Sequence, residues 1–156
     1  MLKKVKITSM DLLAELMSKP LAEGKTVKFT VVGSSMYPML RNGVDNVFLS
    51  SKPTPGKYDV ILYRRKDGSY VLHRIVGVKK DGFVLCGDNQ LKTEFPVLSK
   101  DVVAVMTAFE RNGREISKNK LWYRLYSVMW SRLIFARRPL FKVCRKIKML
   151  FGISIK

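Results

Sequence analysis

Three residues of this chain, Ser35, His73 and Asp88, are of the types that acyl-transfer chemistry uses. A serine hydroxyl becomes a nucleophile when a neutral imidazole takes its proton and a carboxylate holds that imidazole in one tautomer. His73 is the single histidine, and an imidazole of ordinary pKa, about 6.5, is mostly neutral at pH 7. Ser35 lies in Gly33-Ser34-Ser35-Met36-Tyr37-Pro38. A glycine before it and a proline after it make a constrained turn, able to expose a hydroxyl beside backbone N–H groups that hold an oxyanion. His73 lies in the strand-like run Val71-Leu72-His73-Arg74-Ile75-Val76, which would fix the aim of the ring. Asp88 sits in Gly87-Asp88-Asn89, just past the next short strand, so a meander would return it to the same end of a sheet. Each residue alone also has an ordinary reading: a turn serine that satisfies backbone groups, a structural histidine, a turn aspartate.

The elements that must position them follow from patterning. Residues 25–32 alternate, with Val27, Phe29 and Val31 set against Lys28 and Thr30, which predicts a half-buried strand. Strands are also predicted over 44–51, 60–65, 70–79, 82–86 and 102–109, with Asp-Gly turns at Asp67-Gly68 and Asp81-Gly82 and a further turn near Asn112-Gly113. Residues 8–19 read as a short amphipathic helix, with Ser9 as its cap and Pro20 and Gly24 at its end. From Lys120 the pattern turns helical, with Leu121, Leu125, Val128 and Met129 spaced for one face; Arg137-Arg138-Pro139 interrupts it and residues 140–151 resume it. The expected organisation is an N-terminal helix and linker over 1–24, a mainly β domain of antiparallel strands over 25–116, and a basic helical tail over 117–156.

The chain has 156 residues, room for one domain and an appendage. Thirty Lys and Arg against 12 Asp and Glu give a net charge of +18, a field that draws anionic partners. Glu115 is the last acidic residue, so the tail holds much of the excess with nothing to offset it. Its mixture of Trp, Tyr, Lys and Arg suits an anionic membrane surface, through residues 118–156; the plainer alternative is a helix packed on its own domain. Neither a helix-turn-helix nor a zinc-ligand pattern supports nucleic acid as the partner. Two cysteines, Cys86 and Cys144, are too few for a disulfide scaffold. No apolar run reaches the length of a spanning helix, and Asp11 and Glu15 interrupt what would be a leader. These features lead to the expectation of a cytoplasmic chain, peripheral on the inner membrane face. No metal or cofactor is expected.

Four boxes, taken together, resemble the signal-peptidase and LexA-like serine peptidases across roughly residues 27–107. Gly33-Ser34-Ser35-Met36-Tyr37-Pro38-Met39-Leu40 is similar to the nucleophile box, and Gly56-Lys57-Tyr58-Asp59-Val60-Ile61 to the Gly-Asp-hydrophobic box that opens a strand. His73-Arg74-Ile75-Val76 matches the general-base strand and Gly87-Asp88-Asn89 the box that closes the site, all in the family's order. A His rather than a Lys before the Arg resembles the endoplasmic-reticulum and archaeal members. The resemblance implies a LexA/signal-peptidase-like β-fold and a serine endopeptidase with Ser35 as nucleophile, His73 as general base and Asp88 as third member. It also implies the Ser35 N–H in the oxyanion hole and Met36 and Pro38 against a peptide or preprotein substrate. Two positions depart from the family: Met39 stands where Thr is frequent, and Gly33 where bacterial signal peptidases often carry Ser. A further carboxylate often follows the closing box; Glu94 is the nearest here and is not carried into the site. A LexA-like self-cleaving regulator and an inactive peptidase-like module tethered to a membrane are the alternatives. The former needs an upstream Ala-Gly or Cys-Gly target, which the residues before Ser35 lack.

Overall fold

A computed structural model describes residues 17, 19–51, 54–134 and 136. The predicted N-terminal helix lies mostly outside them, as do the segment 140–151 and Cys144. Residues 19–22 are helical, so the helix continues two residues past Pro20 before Gly24, at φ 73°, turns the chain. The fold is one antiparallel sheet, ordered β1 (Val27–Thr30), β2 (Asn46–Ser50), β7 (Val102–Arg111), β3 (Val60–Arg64), β4 (Tyr70–Lys79), β5 (Gly82–Cys86) and β6 (Glu94–Val97), with β8 (Arg114–Ser117) hairpinned to β7. Helix α1 (Leu121–Arg132) follows. All the predicted strands are present; β6 and β8 are additions that the patterning did not announce.

The sheet is covered on both faces, and β3 shows why. Its first four residues are all buried, because Val60 and Leu62 point to one core and Ile61 and Tyr63 to the other, as the two-residue period of a strand requires. The larger core takes Val47, Leu49, Leu62, Leu72, Met106 and Phe109 from the sheet. Met36, Met39 and Leu40 of the turn-rich segment after β1 close over it. The smaller core, on the other face, gathers Ile61, Tyr63, Ile75, Phe83, Leu85, Val97 and Val105. Burying a side chain the size of Leu or Phe contributes about 1.5–3 kcal/mol, so the three large residues of the Met36–Leu40 stretch fix that segment against the sheet.

A charge cluster around one buried carboxylate fixes the other end of the same segment. Asp45 is fully buried and receives Arg41 Nη2 at 2.9 Å and Arg111 Nη2 at 2.6 Å, while Arg111 also donates to the Met39 carbonyl at 2.6 Å. Burial pushes the Asp45 carboxyl up, but the bonds from Arg111 and Arg41 outweigh it and hold the group below the usual carboxylate range.

Candidate active site

The Ser35 turn is held from above and below. Met36 is buried in the larger core and Tyr37 is exposed, leaving Ser35 half-buried at the boundary. The Gly87-Asp88-Asn89 turn then clamps its backbone: Asn89 N–H donates to the Ser35 carbonyl at 2.8 Å and Asn89 Nδ2 to the Ser34 carbonyl at 3.1 Å. Gly87 is required by this approach, since a Cβ there would lie 2.6 Å from the Ser35 oxygen and 3.1 Å from the Gln90 side chain. The Cys86 thiol lies 3.4–3.6 Å from the carbonyls of Gly87, Gln90 and Lys92 and donates its one proton among them, holding the turn to the end of β5.

His73 is reached from the neighbouring strand. It pairs with Ile61, and the next residue, Arg74, pairs with Cys86. The chain therefore leaves β5 for Gly87 at the level of His73, which brings the Ser35 turn to the same end of the β4–β5 pair. Alternation puts the imidazole on the smaller-core face with Ile61 and Tyr63, where it is 1% exposed. Its Nδ1 lies 3.3 Å from Tyr63 Oη and 3.4 Å from Glu94 Oε1. Its Nε2 is buried and has no hydrogen-bond partner among the described residues. Burial, opposed by the charge of Glu94, brings the imidazole pKa down to about 4, so the ring is neutral at pH 7. The tautomer with its proton on Nδ1, toward Glu94, would leave the lone pair on Nε2, where a general base needs it.

Glu94 opens β6 and is itself held. Arg65 donates to it from Nε at 2.9 Å and also from Nη2, and the Tyr63 hydroxyl donates to it. Burial pushes the Glu94 carboxyl up, but those bonds hold it ionised, below its ordinary range. Tyr63 is held protonated, its pKa raised by burial and by its bond to Glu94. A cleft of about 740 Å³ opens on this group, lined by Tyr63, Arg65, Lys92 and Glu94 among others.

Asp88 is placed differently. Arg74 grips its carboxylate with two bonds, Nε to Oδ1 at 2.9 Å and Nη2 to Oδ2 at 2.8 Å, and Tyr126 donates to Oδ2 at 3.3 Å. Both partners of the pair are 0–1% exposed. Burial would discharge Arg74, but Asp88 and Tyr123 keep it firmly cationic. Arg74 also donates to the Tyr58 carbonyl at 3.1 Å, Tyr123 Oη at 3.3 Å and Ser127 Oγ at 2.7 Å, and Trp130 Nε1 donates to the Asp88 carbonyl at 2.8 Å. The charge of Asp88 is felt at His73, as a pull toward the imidazolium weaker than that of Glu94.

The fold thus joins the Ser35 turn to the Gly87–Asn89 turn, which leaves β5 where that strand pairs with the His73 strand. It puts Met36 in the core and leaves Pro38 half-buried and Tyr37 exposed beside Ser35. The carboxylate against Nδ1 is Glu94, and its signal in the sequence was that it is the sole acidic residue between the Gly-Asp-Asn box and Asp101. Comparison of the chain with protein-family models, curated proteins and solved structures gives no match.

Proposed function

We propose that this protein is a serine endopeptidase that processes a peptide or preprotein through an acyl-enzyme at Ser35, with His73 as general base. The observation that carries the reading is a buried imidazole with its Nδ1 contacted and its Nε2 unpartnered, on the strand paired with β5, whose following turn clamps the Ser35 backbone. A buried ring nitrogen without a partner costs roughly 1–3 kcal/mol, which a merely structural histidine gains nothing by keeping.

In this mechanism the Ser35 hydroxyl gives its proton to Nε2 as Oγ attacks the scissile carbonyl, and the Ser35 N–H faces the developing oxyanion. The imidazolium is stabilised by Glu94, and more weakly by Asp88. It then returns the proton to the leaving amine, freeing one peptide product, and a water molecule hydrolyses the acyl-enzyme by the same route. Among the described residues β1 is hydrogen-bonded along one edge only. Its other edge leads straight into Gly33-Ser34-Ser35, so an extended peptide added there would pass the hydroxyl, with Tyr37 and Pro38 as the flanking surface. No helix among the described residues is long and apolar enough to cross a membrane.

Exposure of a mixed peptide library to the wild type, Ser35→Ala and His73→Ala, read by mass spectrometry, tests the proposal. Wild-type fragments ending in small residues are expected, and both variants should abolish them. Fragments that persist with Ser35→Ala overturn it.

A further inference from the structure

Helix α1 packs on the domain with the face opposite to the one its apolar spacing suggests. Tyr123 and Ser127 are the residues it buries, and with Tyr126 and Trp130 they close over the Arg74–Asp88 pair. The apolar stripe points outward instead: Leu121, Leu125, Met129 and Leu133, one turn apart, are 71%, 61%, 56% and 42% exposed, and Trp122 beside them is 46% exposed. Together with Val128 the stripe forms a shallow groove of about 590 Å³, edged by Arg124 and Arg132. On the Trp122 side the surface continues into Arg111, Arg114 and Lys120, with Glu115 as its one carboxylate. A run of exposed leucines along a helix whose other face is already satisfied needs an apolar partner. The cations along its edges need that partner to be anionic.

We infer that this face of α1 docks the protein on an anionic lipid bilayer. A bilayer offers both parts at once: acyl chains for Leu121, Leu125 and Met129, and phosphates for Arg124, Arg132 and Lys120, with Trp122 at the boundary. Single-stranded nucleic acid would match the cations but gives the leucines nothing to bury in. A second copy of a chain carrying +18 would bring like charge against like. Because the inner face of α1 grips Arg74 and Asp88, docking would also set the orientation of the Ser35 turn to the membrane plane. The binding itself does not rest on the peptidase reading.

The test is flotation of the full chain with vesicles of phosphatidylcholine alone and of phosphatidylcholine with about a quarter phosphatidylglycerol. The wild type should float with the anionic vesicles, lose them as salt rises, and show a blue shift in tryptophan emission. Leu125→Glu with Met129→Glu, at exposed positions that leave the folding core untouched, should weaken partitioning about tenfold or more while the thermal melt is unchanged. Ser35→Ala should float like the wild type, which separates this outcome from failure of the peptidase assay. Absence of anionic flotation by the wild type overturns the inference, as does a double variant that floats normally. Loss of a dimer by the double variant without vesicle binding, or capture of an oligonucleotide in preference to vesicles, also overturns it.

Discussion

Asp88 and Glu94 both follow β5, both lie near His73 and both are held by an arginine, yet their surroundings give them different work. Asp88 is sealed off: Arg74 and the α1 side chains Tyr126 and Trp130 take up its carboxylate and carbonyl, and the cluster ties α1, β4 and the serine-clamping turn together. Glu94 is a quarter exposed at the mouth of a cleft, and its Oε1 faces the imidazole Nδ1. A carboxylate saturated by a guanidinium inside the fold serves architecture. Glu94 is also gripped at both oxygens, by Arg65, but it is partly exposed and its Oε1 lies 3.4 Å from Nδ1, where it can stabilise the imidazolium when it forms.

The largest effect should come from breaking the architectural pair. Arg74→Met leaves Asp88 charged and buried and is expected to cost about 3–5 kcal/mol, seen as a large fall in melting temperature and in the urea midpoint. A melt within a few degrees of wild type would contradict the assigned role. Glu94→Gln, by contrast, should leave the melt close to wild type and slow peptide cleavage about tenfold or more, the scale on which supporting acid–base groups act. Equal stability losses for the two variants would erase the distinction.

The next effect is a pH dependence. The His73 pKa is lowered on folding, from 6.5 to about 4, so the unfolded chain binds the extra proton first. Stability should be complete above pH 6.5 and fall as pH drops toward 4, by about 3 kcal/mol for a shift of this size. Asp45 and Glu94, with carboxyls held low, lose their contributions only as pH falls below their ordinary values of 3.8 and 4.5. Urea titrations at pH 7 and pH 4.5 should therefore show a loss that largely disappears in His73→Gln. A wild type equally stable at both would contradict the burial of the neutral ring.

Smaller effects probe the clamp. Gly87→Ala sets a Cβ against the Ser35 carbonyl and should cost about 2 kcal/mol, with cleavage falling further than stability because the serine turn moves. Tyr58 holds φ 76° to offer its carbonyl to Arg74. Tyr58→Asn should gain about 0.5–1 kcal/mol by relieving the left-handed backbone, read as a small rise in melting temperature.

Much of this architecture was legible because alternation and turn chemistry agree along the chain. Val27, Phe29 and Val31 announced β1, and the glycines of Asp67-Gly68 and Asp81-Gly82 take the positive φ that their turns need. β6 was hidden because Glu-Phe-Pro-Val carries a proline, tolerated there since β6 sits at the sheet's edge. β8 was hidden by its polar Arg-Glu-Ile-Ser sequence, which pairs through backbone bonds to β7. The helical period of α1 was visible in the sequence, but the face it buries was not: Arg74 and Asp88 recruit Tyr123 and Ser127, a polar attraction that apolar spacing does not register. Ser35, His73 and Asp88 stood out by residue type and order. Which carboxylate meets Nδ1 is decided by the register of β6 against β5, where Glu94 pairs with Leu85, and register is a tertiary property.

Because His73 is the only histidine, its two ring nitrogens can be read without ambiguity by long-range proton–nitrogen NMR across pH. The ring should be neutral down to about pH 5, protonated at Nδ1 and bare at Nε2, with Nδ1 perturbed by Glu94→Gln. A ring that titrates near 6.5, or one protonated at Nε2 and indifferent to Glu94, would contradict the roles assigned to His73 and Glu94.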